Sequence, residues 1–243
     1  MFASANSGET ITNTNSYALS AQTGTGIAFV YVPIECAPSA RKTAISRHGG
    51  ARNRVDRISD SLTRAQCRNL IASAMTAMEI GRAFNRFITV HWESAGIADS
   101  EAMTATTAFL KALREWAGAT AYIWTRENGD GKGSHLHILA HIPAGKHWRG
   151  ALSRRWLERI TGKLYRRDVI LTRRIVGAGQ PDGALYRANL GTVLAYVLKG
   201  ANPDAAAALG FAHESGGRII GKRCGTSRNI GNGKIRARAR AAW

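Results

Sequence analysis

Polar and apolar residues alternate from Gly133 to His141, through Gly133-Ser134-His135-Leu136-His137-Ile138-Leu139-Ala140-His141. Successive side chains of a strand point to opposite faces, so this spacing predicts a strand with His135, His137, Leu139 and His141 on one face. Leu136, Ile138, Ala140 and Ile142 share the other, wholly apolar, face. A sheet would bury the aliphatic face under helices and leave the histidine face open. Pro143 ends the run, because proline has no amide proton for a ladder.

Other elements follow from the same kind of pattern. Residues 1 to 26 are rich in Ser, Thr, Asn, Gly and Ala and predict a mobile segment. Ile27 to Ile34 reads as a strand, at an edge because of Pro33, and Arg41 to Arg57 as a basic loop. Cys67, Leu70, Ile71, Ala74, Met75 and Met78 recur at helical spacing, predicting a helix from Leu62 to Ile80, capped by Ser61 and stopped by Gly81. Phe87 to Trp92 reads as a strand, and a helix runs from Asp99 or Ser100 to Ala117, ended by Gly118. Ala121 to Glu127 is the next strand, with Tyr122 and Trp124 on the face opposite Glu127. Asn128 to Gly133 turns it into the histidine strand as a hairpin. His147 to Thr161 predicts a helix and Arg167 to Val176 a β-rich stretch. Tyr186 to Lys199 predicts a helix closed by Gly200, Asn202 and Pro203. From Phe87 onward the elements run strand, helix, strand, strand, helix, strand, helix, a mixed α and β order, with flexible termini at the ends of the chain.

Charge narrows the partners. Lys plus Arg number 34 against 16 for Asp plus Glu, a formal charge of +18. A surplus of that size favours a polyanion, most simply nucleic acid. No apolar run approaches the ~18 residues that would span a bilayer, and the N-terminus lacks a signal-peptide layout. Cys36, Cys67 and Cys224 are odd in number and lack C-x-x-C spacing, which fits a reducing cytoplasm and argues against a cysteine zinc site. After Glu214 no acidic residue remains, and the tail carries Arg218, Lys222, Arg223, Arg228, Lys234, Arg236, Arg238 and Arg240 among glycines. It reads as partly disordered and held to a phosphate backbone by charge. No Gly-rich loop of the P-loop type occurs, so no NTP engine is expected.

Two constellations carry chemistry. His135 and His137, at i and i+2 on one face, can bind one divalent metal. Glu127 ends the strand that pairs with theirs and could complete the set. A carboxylate with two imidazoles leaves open positions and suits Mg²⁺ or Mn²⁺. On the 186–199 helix, Leu190, Val193, Leu194, Val197 and Leu198 form the apolar stripe, and Tyr196 lies roughly 130° from its centre. Lys199, three residues on, neighbours Tyr196. A phenol and an ammonium are thus presented away from the core.

In this order, the apolar strand Phe87 to Val90, His135-Leu136-His137, then Tyr196 and Lys199, the chain resembles the HUH endonucleases, specifically the single-tyrosine rolling-circle replication initiators (Rep class). Glu127 matches the position of a third metal ligand found in some members. Tyr-x-x-x-Tyr is absent, and the tyrosine follows the histidines, unlike in conjugative relaxases. The resemblance covers residues 82 to 203, leaving 1 to 26 as a disordered segment by composition, 27 to 81 as an N-terminal strand, basic loop and helix, and 204 to 243 as a basic Gly/Arg-rich tail. It implies an α+β fold, a central antiparallel sheet flanked by helices on an RRM-like or ferredoxin-like plan, and attack by Tyr196 on a phosphodiester of single-stranded or hairpin origin DNA. The products would be a 5′-phosphotyrosine and a free 3′-OH. His135, His137 and Glu127 would hold the metal, and Lys199 would offset charge or assist deprotonation of the phenol. It further implies initiation of rolling-circle replication of a plasmid or phage, with unwinding left to a host helicase. The alternatives are a single-tyrosine transposase of the same superfamily and a sheet-based, non-catalytic regulator that binds single-stranded nucleic acid.

Overall fold

The computed structural model describes residues 57–129, 131 and 133–231. The strand expected at 27–34 and the basic residues 41–54 lie outside them, as do Lys234, Arg236, Arg238 and Arg240. In chain order the elements are β1 (Ile58–Ser59), α1 (Arg64–Glu79), β2 (Arg86–His91), α2 (Asp99–Ala117), β3 (Tyr122–Gly129) and β4 (Gly133–Ala140). These are followed by α3 (Gly150–Thr161), β5 (Ile170–Arg174), α4 (Ala184–Leu198), α5 (Pro203–Leu209), β6 (Ile219–Ile220) and β7 (Cys224–Thr226).

The fold is α+β, as expected. A five-stranded sheet runs in the order β5-β2-β4-β3-β7, every neighbouring pair antiparallel, and β1 pairs with β6 in a separate ribbon. The run β2-α2-β3-β4-α3-β5, with strand order β5-β2-β4-β3, is the β-α-β-β-α-β ferredoxin-like arrangement. On one face Ile88, Val90, Leu136, Ile138, Tyr122 and Trp124 pack with Phe109 and Leu113 of α2 and Trp156 and Leu157 of α3. On the other, Ile123 and Leu139 pack with Cys67 and Leu70 of α1 and Leu190, Leu194 and Val197 of α4. Among the described residues no helix is long and apolar enough to cross a membrane.

Several expectations are corrected. The histidine face is not open: α1 and α4 cover it, because their apolar stripes need a partner and the Ile123–Leu139 side of the sheet supplies one. Thr63, not Ser61, caps α1. The Thr63 Oγ1 accepts from the Gln66 amide and the Gln66 Oε1 accepts from the Thr63 amide, a closed capping box. Leu62 is held extended instead, its amide donating to the Gly200 carbonyl. Strand β3 runs further than expected, through Gly129, whereas β4 starts at Gly133 as the alternation predicts and ends at Ala140. Helix α3 starts at Gly150 rather than His147, after a turn closed by the Lys146 amide on the Pro143 carbonyl.

Asn202 and Pro203 open a helix rather than merely close one. The Asn202 Oδ1 accepts from the Ala205 amide, and Pro203 fills the first position, where no amide proton is needed. Residues 204 to 231 do not behave as a tail, since β7 pairs with β3 and extends the sheet. Helix α1, set apart by the sequence reading, belongs to the same core.

One buried ion pair ties the second ribbon to the sheet. The Arg126 guanidinium, fully buried on β3, lies 2.7 Å from the Asp99 carboxylate at the start of α2. Asp99 also accepts from the Ser134 hydroxyl and from the Ile220 amide. Removing one partner of such a pair leaves an uncompensated buried charge. Asp99→Ala should therefore cost about 3–5 kcal/mol, read as a lower denaturant midpoint at unchanged slope. A shift below about 1 kcal/mol would show that water reaches Arg126.

Candidate metal centre and the tyrosine beside it

Register assembles the site. Glu127 and His91 both lie directly opposite His135, and Thr125 and Thr89 both lie opposite His137. Opposed residues share a face, so strands β2, β4 and β3 carry one polar patch in an otherwise apolar layer. The patch is buried: Glu127 is 3 % exposed, His135 4 % and His137 1 %. Glu127, His135 and His137 offer ligand atoms that all lie within 4.8 Å of one another. The Glu127 Oε2 is 3.2 Å from the His135 Nε2 and 3.6 Å from the His137 Nε2.

The outer nitrogens of both rings are already engaged. The His135 Nδ1 donates to the Gly133 carbonyl at 2.8 Å, and the His137 Nδ1 is 3.0 Å from the Thr89 hydroxyl. A carbonyl only accepts, so a neutral His135 carries its proton on Nδ1 and turns a bare Nε2 toward the carboxylate. The Glu127 Oε1 and the His137 Nε2 are buried without a hydrogen-bond partner. Buried lone pairs that converge in this way are costly unless a cation or a shared proton satisfies them. The group could bind a metal ion, with its imidazoles oriented from behind by Gly133 and Thr89.

Charge states suit that role. Burial works to raise the Glu127 pKa, but the His135 and His137 imidazoles that face it and the Lys199 charge outweigh it. The carboxyl stays well below its ordinary range and is anionic. Burial brings His137 down to about 4 despite the pull of Glu127, so this ring is neutral, as a metal ligand must be. Glycines make room above. A Cβ on Gly200 would stand 3.4 Å from the Glu127 Oε1, and one on Gly216 would stand 2.8 Å from the Arg223 Nη1 and 3.2 Å from the Gly200 Cα.

Helix α4 brings Tyr196 to this group. Its ring stands edge-on to His137 and Phe87, with centroids 5.2 and 5.6 Å apart, and it remains 40 % exposed. The Lys199 Nζ lies 4.8 Å from the Tyr196 ring centroid, 3.6 Å from the Glu127 Oε2 and 2.6 Å from the Glu214 Oε2. Burial raises the Tyr196 pKa above its ordinary value, against the lowering pull of Lys199. Burial works against the Lys199 charge, yet Glu214 and Glu127 together raise its pKa, so it is an ammonium. Tyr186, the other tyrosine of α4, is buried and donates to the Phe84 carbonyl at 2.9 Å.

The structure thus gathers Glu127, His135, His137, Tyr196 and Lys199 around one point. His91 stacks on His135 with centroids 5.6 Å apart, but it lies outside the ligand group. His141 gives its Nδ1 to the Ala83 carbonyl at 2.9 Å. Of the basic residues assigned to DNA, Arg218, Lys222 and Arg228 are exposed. Arg223 is corrected: it is buried, and its guanidinium donates to the Ser59, Gly216 and Gly217 carbonyls and to the Ser59 hydroxyl, so it pins loops rather than meeting phosphate. Thr89, Gly200, Gly216 and Glu214 are the participants the sequence did not assign. Thr89 was legible as the one polar residue inside the strand Phe87 to Val90, whereas Glu214 lies in a loop with no periodic signal. No family model, no curated protein and no solved structure matches this chain.

Proposed function

We propose that this protein nicks and rejoins single-stranded DNA through a covalent Tyr196 intermediate, as the Rep-class HUH endonucleases it resembles do. The observation that carries the reading is the meeting of Tyr196 with the His137 ring at 5.2 Å, beside the buried Glu127–His135–His137 group and under the Lys199 ammonium. A structural tyrosine on this helix has a different environment, which Tyr186 illustrates. Sheet-face base stacking by Tyr122 and Trp124, which would favour a non-catalytic binder, has little support because both are buried in the helix-side core.

In the proposed reaction the Tyr196 oxygen bonds to the scissile phosphorus, its proton passing to solvent. The phosphorus–O3′ bond breaks, and the departing oxygen takes up a proton to give a free 3′-OH. The phosphodiester energy is kept in the 5′-phosphotyrosine, so the reverse attack by a 3′-OH reseals the strand without NTP. Lys199, fixed by Glu214 and Glu127, offsets charge that develops near the phenol. Glu127, His135 and His137 would hold Mg²⁺ or Mn²⁺, which when bound polarises and orients the phosphate. The role would be initiation of rolling-circle replication of a plasmid or phage, with a cytoplasmic host helicase unwinding the duplex.

Incubation with a pool of single-stranded oligonucleotides and Mn²⁺, followed by denaturing gel electrophoresis, tests the reading. A covalent protein–DNA adduct is expected, and its absence across the pool would favour a non-catalytic binder. The C-terminal arginines should add affinity without base choice, since phosphate contacts position rather than specify. Deletion from Gly231 onward should weaken binding and flatten its salt dependence while the nick stays in place. A relocated nick would show that this segment reads bases.

A further inference from the structure

The sheet ends, on the β5 side, in an unusual set of charges. Arg86 on β2 lies directly opposite Arg174 on β5, and Arg173 lies opposite Phe87. Consecutive residues of a strand face opposite ways, so Arg173 shares the face of Phe87 and the metal group, while Arg174 and Arg86 share the other. Arg173 and Arg174 are exposed and Arg86 is half-buried. Among the described residues none of the three forms an ion pair with a carboxylate. Arg86 gives one Nη1 bond to the neighbouring Asn85 carbonyl. Burial, and then the Arg174 charge, lower the Arg86 pKa, as expected of a cation that faces another without an anion between them.

Like charges directly opposed across strands oppose pairing. Edge strands do use charge to deter association with other strands, and exposed Arg173 and Arg174 would serve that end. That purpose does not account for a half-buried Arg86 placed against Arg174. Position offers a better account. Strand β5 pairs only with β2 and is an edge strand of the sheet among the described residues. Phe87, across from Arg173, touches the Tyr196 ring at 5.6 Å, and the Arg173 charge is felt at the Tyr196 phenol.

We infer that Arg86, Arg173 and Arg174 form a phosphate-binding edge, over which the backbone of the single-stranded DNA passes on its way to Tyr196. The inference rests on the nicking reading for the identity of the strand. It adds the path, around the β5 edge of the sheet rather than over its helix-covered faces. Guanidiniums on both sides of one edge let a flexible single strand be gripped at successive phosphates, which a rigid duplex could not follow as closely.

The test measures binding of an unstructured oligothymidylate as a function of salt, for the wild type and for R86Q/R173Q/R174Q. Each phosphate contact to a single strand contributes roughly 0.7 to the slope of log affinity against log salt, so the triple variant should be shallower by about two. A charge-matched control, R114Q/R155Q/R159Q on the exposed faces of α2 and α3, should leave the slope in place. Should the triple variant fold poorly, R173Q and R174Q alone, at exposed positions, should each remove about 0.7. An unchanged slope in the edge variants, or an equal loss in the control, overturns the inference. The two readings fail separately. A wild type that forms no adduct while the edge variants lose slope ends the nicking reading and keeps the edge. A wild type that forms adduct with edge variants of unchanged slope does the reverse.

Discussion

Tyr196→Phe should abolish both the covalent protein–DNA adduct and the nicked product, a loss on the order of 10³-fold or more, as for other covalent nucleophiles. Single-strand binding should persist. The substitution removes one oxygen and keeps the ring, so the edge-on contacts to His137 and Phe87 survive. Tyr196 is partly exposed, and among the described residues its hydroxyl makes no hydrogen bond whose loss would unsettle the helix. The control is in the same helix. The Tyr186 hydroxyl is fully buried on the Phe84 carbonyl, and burial holds its pKa well above the ordinary tyrosine value. Tyr186→Phe should therefore cost stability, about 1 kcal/mol for the orphaned carbonyl and lost bond, while adduct formation remains. Mass spectrometry of a trapped adduct should place the nucleotide on the peptide that holds Tyr196. An adduct on Tyr186, or undiminished nicking by the Tyr196 variant, would refute the assignment.

The second large effect concerns the metal. Saturating Mn²⁺, at about 100 times its dissociation constant, should stabilise the folded protein by roughly 2.7 kcal/mol, or about 5–10 °C in thermal midpoint for a domain of this size. EDTA should reverse the shift and stop nicking, and added Mn²⁺ or Mg²⁺ should restore it. His135→Ala and His137→Ala should each lose the Mn²⁺-dependent rise and the nicking activity together. These rings are buried, so the variants will also be altered without metal: His137 fills space between Phe87, Thr89 and Tyr196. The diagnostic quantity is therefore the difference in midpoint with and without Mn²⁺ in each protein, not the midpoint itself. Thr89→Val offers a finer check. It keeps the strand and removes the hydroxyl behind the His137 Nδ1, and should weaken metal binding by about 10- to 100-fold. A wild type whose midpoint ignores Mn²⁺ and which nicks fully in EDTA would leave the Glu127–His135–His137 group with a shared proton rather than a metal.

Much of the sheet was legible because strand periodicity is local. The alternation from Gly133 to His141 fixes which side chains share a face, whatever lies above them, and so His135 and His137 had to be neighbours. Hairpin connectivity then brings Glu127 to His135, because the turn between them is short. Tyr196 and Lys199 were paired by helical spacing alone, which is likewise local. What covers a face is not local. The histidine side of the sheet looked suited to solvent, yet α1 and α4 lie over it, because their apolar stripes and the Ile123–Leu139 side bury one another. That burial changes the chemistry, since a carboxylate and two imidazoles in an exposed patch would be satisfied by water, whereas here their lone pairs face one another. The fate of the basic C-terminal stretch was equally a tertiary matter. Arg223 and Arg218 look alike in composition, but β7 pairs with β3 and draws Arg223 inside to bind the carbonyls of Ser59, Gly216 and Gly217. Glu214 reaches Lys199 across 15 positions of chain, a closure that no periodicity encodes. The sequence by itself therefore determined the central strands β2, β3 and β4, their faces and the residue types of the site. Only long-range packing decided that the site is buried, which glycines make room for it and which cations remain free to meet a polyanion, because those outcomes depend on which distant surfaces exclude water from one another.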